Sequence, residues 1–372
     1  MLFRSVADRL RDAVRDIDLV ARIGGDEFAI VMGAEPDMRL AADRLAQRLM
    51  KAICAPYDID GFPLQIYLSI GVGIAPLDGA DPATLMQNTD LALYQAKAAG
   101  RRTVRFYNPD MDMALREERM LENDLRHALE LNQLEVHYQA IVDVGTGRTV
   151  GMEALARWRH PKLGMVPPDR FIRVAERTGQ INSIGAWILG AACAEAATWP
   201  DHVRVAVNLS PSQFKSGDLV SVVWKAVAES GLPTRRLTLE ITETTLLEKS
   251  DENLRVLEEL RGLGLKVALD DFGTGFSSLS YLKTIRFDVI KIDRSFVMEM
   301  ATNERAAHII AVIVALSRAL GFTTVAEGIE TREQFDLVRA AGCNAVQGFL
   351  FSRPKPEREL VFDDIEIGAR AA

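Results

Sequence analysis

Lys266-Val267-Ala268-Leu269-Asp270-Asp271 decides how this chain is read, because a short apolar run stops abruptly on two adjacent acids. The same signature recurs on both sides. Glu153 follows Thr149-Val-Gly-Met, Asn208 follows Val203-Arg-Val-Ala-Val, and Glu240 follows Leu237-Thr-Leu. Lys291 and Asp293 fall in Val289-Ile-Lys-Ile-Asp, and Glu327 follows Thr323-Thr-Val-Ala. Parallel strands of one sheet or barrel would bring these carboxyl ends to a single patch. Like charges gathered there raise one another's pKa, and desolvation adds to the cost, so the patch calls for cations. Carboxylates with one Asn amide are hard oxygen ligands, suited to Mg²⁺ or Mn²⁺ rather than Zn²⁺, and no His-x-x-x-His or cysteine cluster competes. Adjacent Asp270 and Asp271 suit a two-metal centre in which one carboxylate bridges ions roughly 3.5–4 Å apart. Taken singly, each acid has an ordinary alternative: a solvated strand-end charge for Glu153, an edge residue for Glu240, a cap or turn for the Asp pair. Their recurrence at equivalent positions favours a metal-dependent enzyme.

Working outward, β-rich runs alternate with helical segments at 135–142, 149–155, 203–209, 237–241, 265–269, 289–292, 323–326 and 345–348. Eight runs fit an α/β fold, a (β/α)8 TIM-like barrel. Only Asp143-Val-Gly-Thr-Gly-Arg148 separates the first two, too short for a helical crossover, so they should pair as a hairpin and make one barrel strand antiparallel. Upstream lies a smaller α/β pattern: an amphipathic helix over 6–14, a strand-turn-strand at Gly24-Gly25, a helix over 38–52, a strand over 65–74 and a helix over 82–99. Residues 110–131 carry Leu115, Leu121, Leu125 and Leu129 on a charged background, the pattern of an amphipathic connecting helix.

With 372 residues, 48% of them hydrophobic, the chain has room for two domains. Its net charge of −8 repels nucleic-acid polymers and anionic membranes, so a phosphate ligand must be drawn by local cations. Cys54, Cys193 and Cys343 lie far apart and read as small buried residues of a reducing compartment, which makes the cytoplasm the expected location. No apolar stretch reaches the roughly 18–20 residues of a membrane span. Arg4, Asp8, Arg9, Arg11 and Asp12 exclude an N-terminal signal peptide.

Lys291, in an apolar strand among the acids, is placed to orient or deprotonate an attacking water or to neutralise developing charge; the alternative is a structural ion pair. Arg157 has the fork geometry for a phosphate, whereas Trp158 beside it reads as core. Residues 271–278, with two glycines and small hydroxyls, suggest an active-site flap, or else an ordinary turn. Gly71-Val-Gly73 and Gly273-Thr-Gly275 lack the remainder of a dinucleotide fingerprint.

Taken together and in order, Glu153-Ala-Leu-Ala-Arg157-Trp, Asn208-Leu-Ser, Glu240-Ile-Thr-Glu243, Asp270-Asp-Phe-Gly-Thr-Gly275, Ile290-Lys-Ile-Asp293, Ala326-Glu-Gly-Ile-Glu330 and Gln347-Gly-Phe resemble the EAL-domain cyclic di-GMP phosphodiesterases over residues 113–362. The resemblance implies hydrolysis of cyclic di-GMP to linear pGpG with two Mg²⁺ or Mn²⁺ ions. It implies that Glu153, Asn208, Glu240 and Asp270 hold the first ion, that Asp270, Asp271 and Glu327 serve the second, and that Lys291 acts on the attacking water. Gln139, Arg157, Asp293, Glu330 and Gln347 match substrate-contacting positions, and Glu243 matches the acid that anchors the loop over 271–278. Ala140 departs from the pattern, which has Pro after Gln139. The family also implies a homodimer through this domain.

Residues 1–107 resemble the GGDEF diguanylate cyclases through Arg22-Ile-Gly24-Gly-Asp-Glu-Phe28, Ser69-Ile-Gly-Val and Leu93-Tyr-Gln-Ala-Lys97-Ala-Ala-Gly-Arg101, with a connecting helix over 108–131. Met1 falls inside that pattern. The family's opening strand and its following helix are expected upstream, so this part is expected to be a partial, non-catalytic domain with exposed apolar surface; in a longer parent protein, sensory or membrane segments could precede residue 1. Arg15-x-x-Asp18 resembles the family's product-binding inhibitory site, with a surface ion pair as the alternative. Competing functions are a non-catalytic cyclic di-GMP receptor and a GTP-responsive regulatory module.

Overall fold

The computed structural model describes residues 2–59, 61–247, 251–273 and 285–362. The chain divides into two compact units, Met1–Met120 and Leu121–Ala372.

In the first unit, α1 (Leu2–Ala13) brings Val6, Leu10 and Ala13 onto one face, and they pack in one cluster with Leu45, Leu49 and Ile53 of α2 (Met38–Ile53). Between these helices β1 (Leu19–Gly24) and β2 (Glu27–Val31) pair antiparallel. Arg9 stacks 3.6 Å from the Tyr57 ring centre and donates to the carbonyls of Ala52, Ala55 and Pro56, which satisfies backbone acceptors where α2 ends. β3 (Tyr57–Ile59) and β4 (Phe62–Leu64) form a second hairpin, and β5 (Ile70–Val72) pairs in parallel with β6 (Val104–Phe106) across α3 (Pro82–Ala98). The strand expected over 65–74 is therefore only three residues long. Apolar residues alternate through Gln65-Ile-Tyr-Leu-Ser-Ile, but only Ile70–Val72 meets a partner strand.

The helix α4 (Asp110–Ala128) contributes Leu121, Leu125 and Ala128 to the core of the second unit. There follow β7 (Leu134–Asp143), β8 (Thr149–His160), β9 (Gly164–Val166), β10 (Arg204–Asn208), β11 (Leu237–Thr242), β12 (Lys266–Phe272), β13 (Val289–Ile292), β14 (Thr323–Ala326), β15 (Ala345–Gln347) and the short β16 (Lys355–Pro356). Eight of them close a barrel in the order β7-β15-β14-β13-β12-β11-β10-β8, with β8 returning to β7. β7 runs antiparallel to both neighbours and the other pairings in the ring are parallel, as the short hairpin connection required. Helical segments cover the ring, so strand residues such as Leu237, Leu239, Ile241, Val267 and Ile290 are buried. Among the described residues, no helix is long and apolar enough to cross a membrane.

One strand departs from expectation. β8 does not end near Leu155: it pairs with β10 only over Gly151–Ala154, then continues to His160 with β7 and β9 as partners. Past Ala154 it is the barrel that ends, and the strand runs on.

Candidate active site

Side chains alternate along a strand, so every second residue faces the barrel axis. The registers pair Gln139 with Glu153, Glu153 with Ala206, Asn208 with Glu240, and Lys291 with Val325. Gln139, Glu153, Asn208, Glu240 and Lys291, from five different strands, are thereby brought to one mouth.

Regular alternation would send Asp270 and Asp271 to opposite faces. Instead the register slips: Leu269 pairs with Ile290 and Phe272 with Ile292, so three steps on β12 match two on β13. Asp271 takes a left-handed conformation at φ 54°. This bulge returns the second carboxylate to the mouth. Ligand oxygens of Asp270, Asp271 and Glu327 lie within 4.8 Å of one another, as do those of Glu153, Glu240 and Asp270. Strain of this kind costs of order 1–3 kcal/mol and persists where the surroundings impose it. Here Gly273 N donates to Glu243 Oε1 at 2.8 Å, and a Cβ on Gly273 would meet the Phe296 ring at 2.8 Å. Glu243 thus holds the start of the segment after β12; residues 274–278 of the expected flap lie outside the described residues.

Lys291 is 1% exposed, and its Nζ lies 2.6 Å from Glu240 Oε2, 2.6 Å from Glu327 Oε1, 3.2 Å from Asp270 Oδ2 and 3.6 Å from Glu153 Oε1. Burial opposes its charge, but the surrounding carboxylates outweigh burial and push its pKa well up. Burial also drives Glu240 well above the carboxylate range, with Glu153 and Asp270 adding to the shift against Lys291. Glu327 is pushed up to about 8, by burial first and then by Asp270 and Glu153. Asp271 rises through burial and its neighbours Asp270 and Asp293. Glu153 is instead lowered: burial works against it, but Lys291 and hydrogen bonds from Gln347 and Asn208 prevail. One ammonium cannot neutralise five carboxylates. The two oxygen clusters share Asp270 and offer only hard donors, so this chain's residues fit a pair of divalent cations.

Carboxamides line the other side. Asn208 Nδ2 donates to Glu153 Oε1 at 2.6 Å. Gln347 Nε2 donates to Glu153 Oε2 at 2.6 Å and to Gln139 Oε1 at 3.0 Å, while Gln347 Oε1 is buried without a hydrogen bond. Gln139 Nε2 donates to the carbonyl of Ser352 at 3.0 Å. Ser352 was not singled out from the sequence, and no spacing or residue type there would have pointed to it.

The remaining candidates are more dispersed. Arg157, half-buried on β8 beyond the barrel, donates to the Ala156 carbonyl at 2.8 Å; burial pushes its pKa down and Glu153 pulls it up. Asp293 caps the helix Arg294–Glu299, accepting from Ser295 N at 3.0 Å. Glu330 is exposed, and its backbone N donates to Gln334 Oε1 at 2.8 Å. Trp158 is core, 0% exposed, with Nε1 donating to Gln133 Oε1 at 3.1 Å. In the first unit, Asp18 accepts from the backbone N of Gly33 at 2.9 Å and of Arg15 at 3.0 Å, whereas the Arg15 guanidinium pairs with Glu35. The simple Arg15–Asp18 ion pair is replaced by a capped turn beside an Arg–Glu pair.

Fold and site define a closed α/β barrel with a carboxylate-rich mouth centred on one buried lysine. Residues 122–354 match the EAL domain, and residues 1–103 match the family described as diguanylate cyclase, GGDEF domain. The chain belongs to the EAL domain family. MucR of Pseudomonas aeruginosa, named a bifunctional diguanylate cyclase/cyclic di-GMP phosphodiesterase, is 42% identical over 97% of this chain and 53% of its own length. The solved MucR phosphodiesterase in complex with c-di-GMP is 43% identical with a TM-score of 0.63, covering 65% of this chain and 100% of that one. A manganese/cy-diGMP complex of Klebsiella pneumoniae BlrP1 is 33% identical with a TM-score of 0.55, covering 60% of this chain and 56% of that one. The chain spans about half the length of the curated relatives it matches, between 44% and 53% for the first four.

Proposed function

We propose that the barrel hydrolyses cyclic di-GMP to linear pGpG, with two divalent cations, Mg²⁺ or Mn²⁺, as cofactors. The observation that carries this reading is the pair of oxygen clusters sharing Asp270 around Lys291. The nucleotide and manganese named for the MucR and BlrP1 complexes support it. Glu153, Asn208, Glu240 and Asp270 would hold one cation, and Asp270, Asp271 and Glu327 the other. Because Asn208 commits its Nδ2 to Glu153, its Oδ1 is the atom left to serve as a ligand. Such ions, when bound, supply Lewis-acid stabilisation of phosphoryl oxygens and a lowered pKa for water.

The chain's own groups do the rest. Lys291 brings a positive charge to the centre of the mouth, where it orients the attacking water and opposes the negative charge that develops as the phosphodiester opens. Arg157 supplies the local cation that draws a phosphate to a chain of net charge −8. Gln347 Oε1, buried and unpaired, accepts a donor from the substrate, with Gln139, Asp293 and Glu330 as the other proposed contacts. Glu243 anchors the backbone at Gly273 and so keeps the bulged Asp271 in place. Dimerisation through the barrel belongs to the same reading, and light scattering that finds only monomer would count against it.

The test is chromatographic: purified protein with cyclic di-GMP and Mg²⁺ or Mn²⁺, beside an EDTA control and the Glu153→Ala variant. Metal-dependent pGpG, absent from both controls, is the expected result. Hydrolysis by Glu153→Ala at the parent rate would overturn the assignment, and nucleotide binding without product would favour a receptor.

A further inference from the structure

We propose that Ser352 is a positioning residue: it dictates which way two buried carboxamides point and, through them, orients Glu153. The proposal rests on reading the barrel mouth as the phosphodiesterase centre. A carboxamide has a donor end and an acceptor end, and a flip exchanges them. The Ser352 carbonyl can only accept, so the end of Gln139 facing it at 3.0 Å must be Nε2. That turns Gln139 Oε1 toward residue 347, which must in turn offer its own Nε2, at 3.0 Å. The second hydrogen of that amide reaches Glu153 Oε2 at 2.6 Å, an acceptor when ionised. Each end of the relay therefore demands the same orientation, and a flip at either glutamine would oppose two acceptors inside a site where both side chains are buried, at 7% and 5% exposure. The consequence at the mouth is twofold. Glu153 is held by an amide on each oxygen, and Gln347 Oε1 is left facing away from Glu153 as the unpaired acceptor.

Ser352 is itself fastened. Its Oγ accepts from Ala140 N at 3.1 Å, and its own N donates to the Gly348 carbonyl at 3.2 Å. The first bond exists because residue 140 has an amide hydrogen; a proline there would have none. Ala140 and Ser352 thus form a clip between β7 and the segment after β15, and the clip fixes the carbonyl that starts the relay.

The proposal is tested with Ser352→Ala, Ala140→Pro, Gln139→Ala and the double variant Ser352→Ala/Gln139→Ala. Mn²⁺ affinity is read by calorimetric titration, kcat and KM for cyclic di-GMP at saturating Mn²⁺, and folding by thermal melts. Loss of one neutral hydrogen bond predicts that Ser352→Ala weakens Mn²⁺ binding and lowers kcat/KM by about three- to tenfold, with Ala140→Pro doing the same. In the Gln139→Ala background the Ser352→Ala change should add nothing, because its route to Glu153 is already cut. Equal losses in both backgrounds, or no loss in the single variant, overturns the relay. If Ala140→Pro misfolds, the Ser352/Gln139 cycle alone decides. Should the parent protein bind Mn²⁺ but not hydrolyse the nucleotide, the phosphodiesterase reading fails, while a non-additive pattern in Mn²⁺ affinity still upholds the relay.

Discussion

Replacing Lys291 by Met keeps the length of the side chain and deletes its charge from the most acidic point of the barrel. Four carboxylates lie 2.6–3.6 Å from Nζ, and the lysine is 1% exposed. Removing one partner from a buried ion pair costs about 3–5 kcal/mol, because the surviving charge is left uncompensated. For a unit of this size each kcal/mol shifts the midpoint by roughly 2–4 °C, so in EDTA the barrel transition of Lys291→Met should fall by about 6–20 °C. Saturating Mn²⁺ should close most of that gap, since the cations would draw on the same carboxylates. Calorimetric melts of both proteins, with EDTA and with Mn²⁺, measure the effect. A variant melting within about 2 °C of the parent in EDTA would refute the idea that Lys291 compensates buried negative charge at the mouth. An equal deficit with and without Mn²⁺ would mean that lysine and cations do not share their partners. Turnover by Lys291→Met should drop by about 10²–10⁴-fold whatever its stability.

The same cluster predicts how the metal-free barrel responds to pH. Glu327 has an ordinary value of 4.5 and is raised to about 8 in the fold, so between those values the folded state keeps a proton that the unfolded chain has released. Stability therefore falls as pH climbs through that window, and the raised Glu240 acts in the same direction. Glu153, whose pKa is lowered, acts oppositely but only below its unfolded value of 4.5. Urea midpoints in EDTA should decline from about pH 5 to about pH 8 and flatten with Mn²⁺; a rise over that range would contradict the assignment. The cysteines give an independent check on the core. Burial pushes Cys193 up to about 12 and Cys343 up to about 11, whereas Cys54 is only partly buried. A thiol reagent at mildly alkaline pH should label Cys54 first and all three in denaturant, and peptide mapping that finds Cys193 labelled as fast as Cys54 would show the barrel core to be looser than described.

Much of this protein is written locally. An apolar run of a few residues that closes on a polar side chain specifies a buried strand and the polarity of its end, whatever its neighbours are; all eight barrel strands were legible as such runs, though β10 closes on Asn208 and β15 on Gln347 rather than on an acid. The short link Asp143–Arg148 made β7 antiparallel, since so short a connection cannot cross a barrel. Burial of Trp158 followed from its type. Beyond that hairpin, register was not legible. Whether Asp271 faces the mouth depends on a bulge set by the register of β12 against β13; strand alternation alone would have turned it away. Whether β8 ends at Glu153 depends on which strands lie beside it there. Strand length in the first unit was misjudged for the same reason, because alternation in 65–69 looks identical whether or not a partner is present. The tie from Gln139 to Ser352 joins residues 213 positions apart, and neither carries any mark of the other. Side-chain chemistry and short-range periodicity are properties of the chain alone and set what each residue can do. Which acid meets which amide, and that one ammonium stands among so many carboxylates, emerges only when the ring of strands closes and a few ångströms of register decide the contacts.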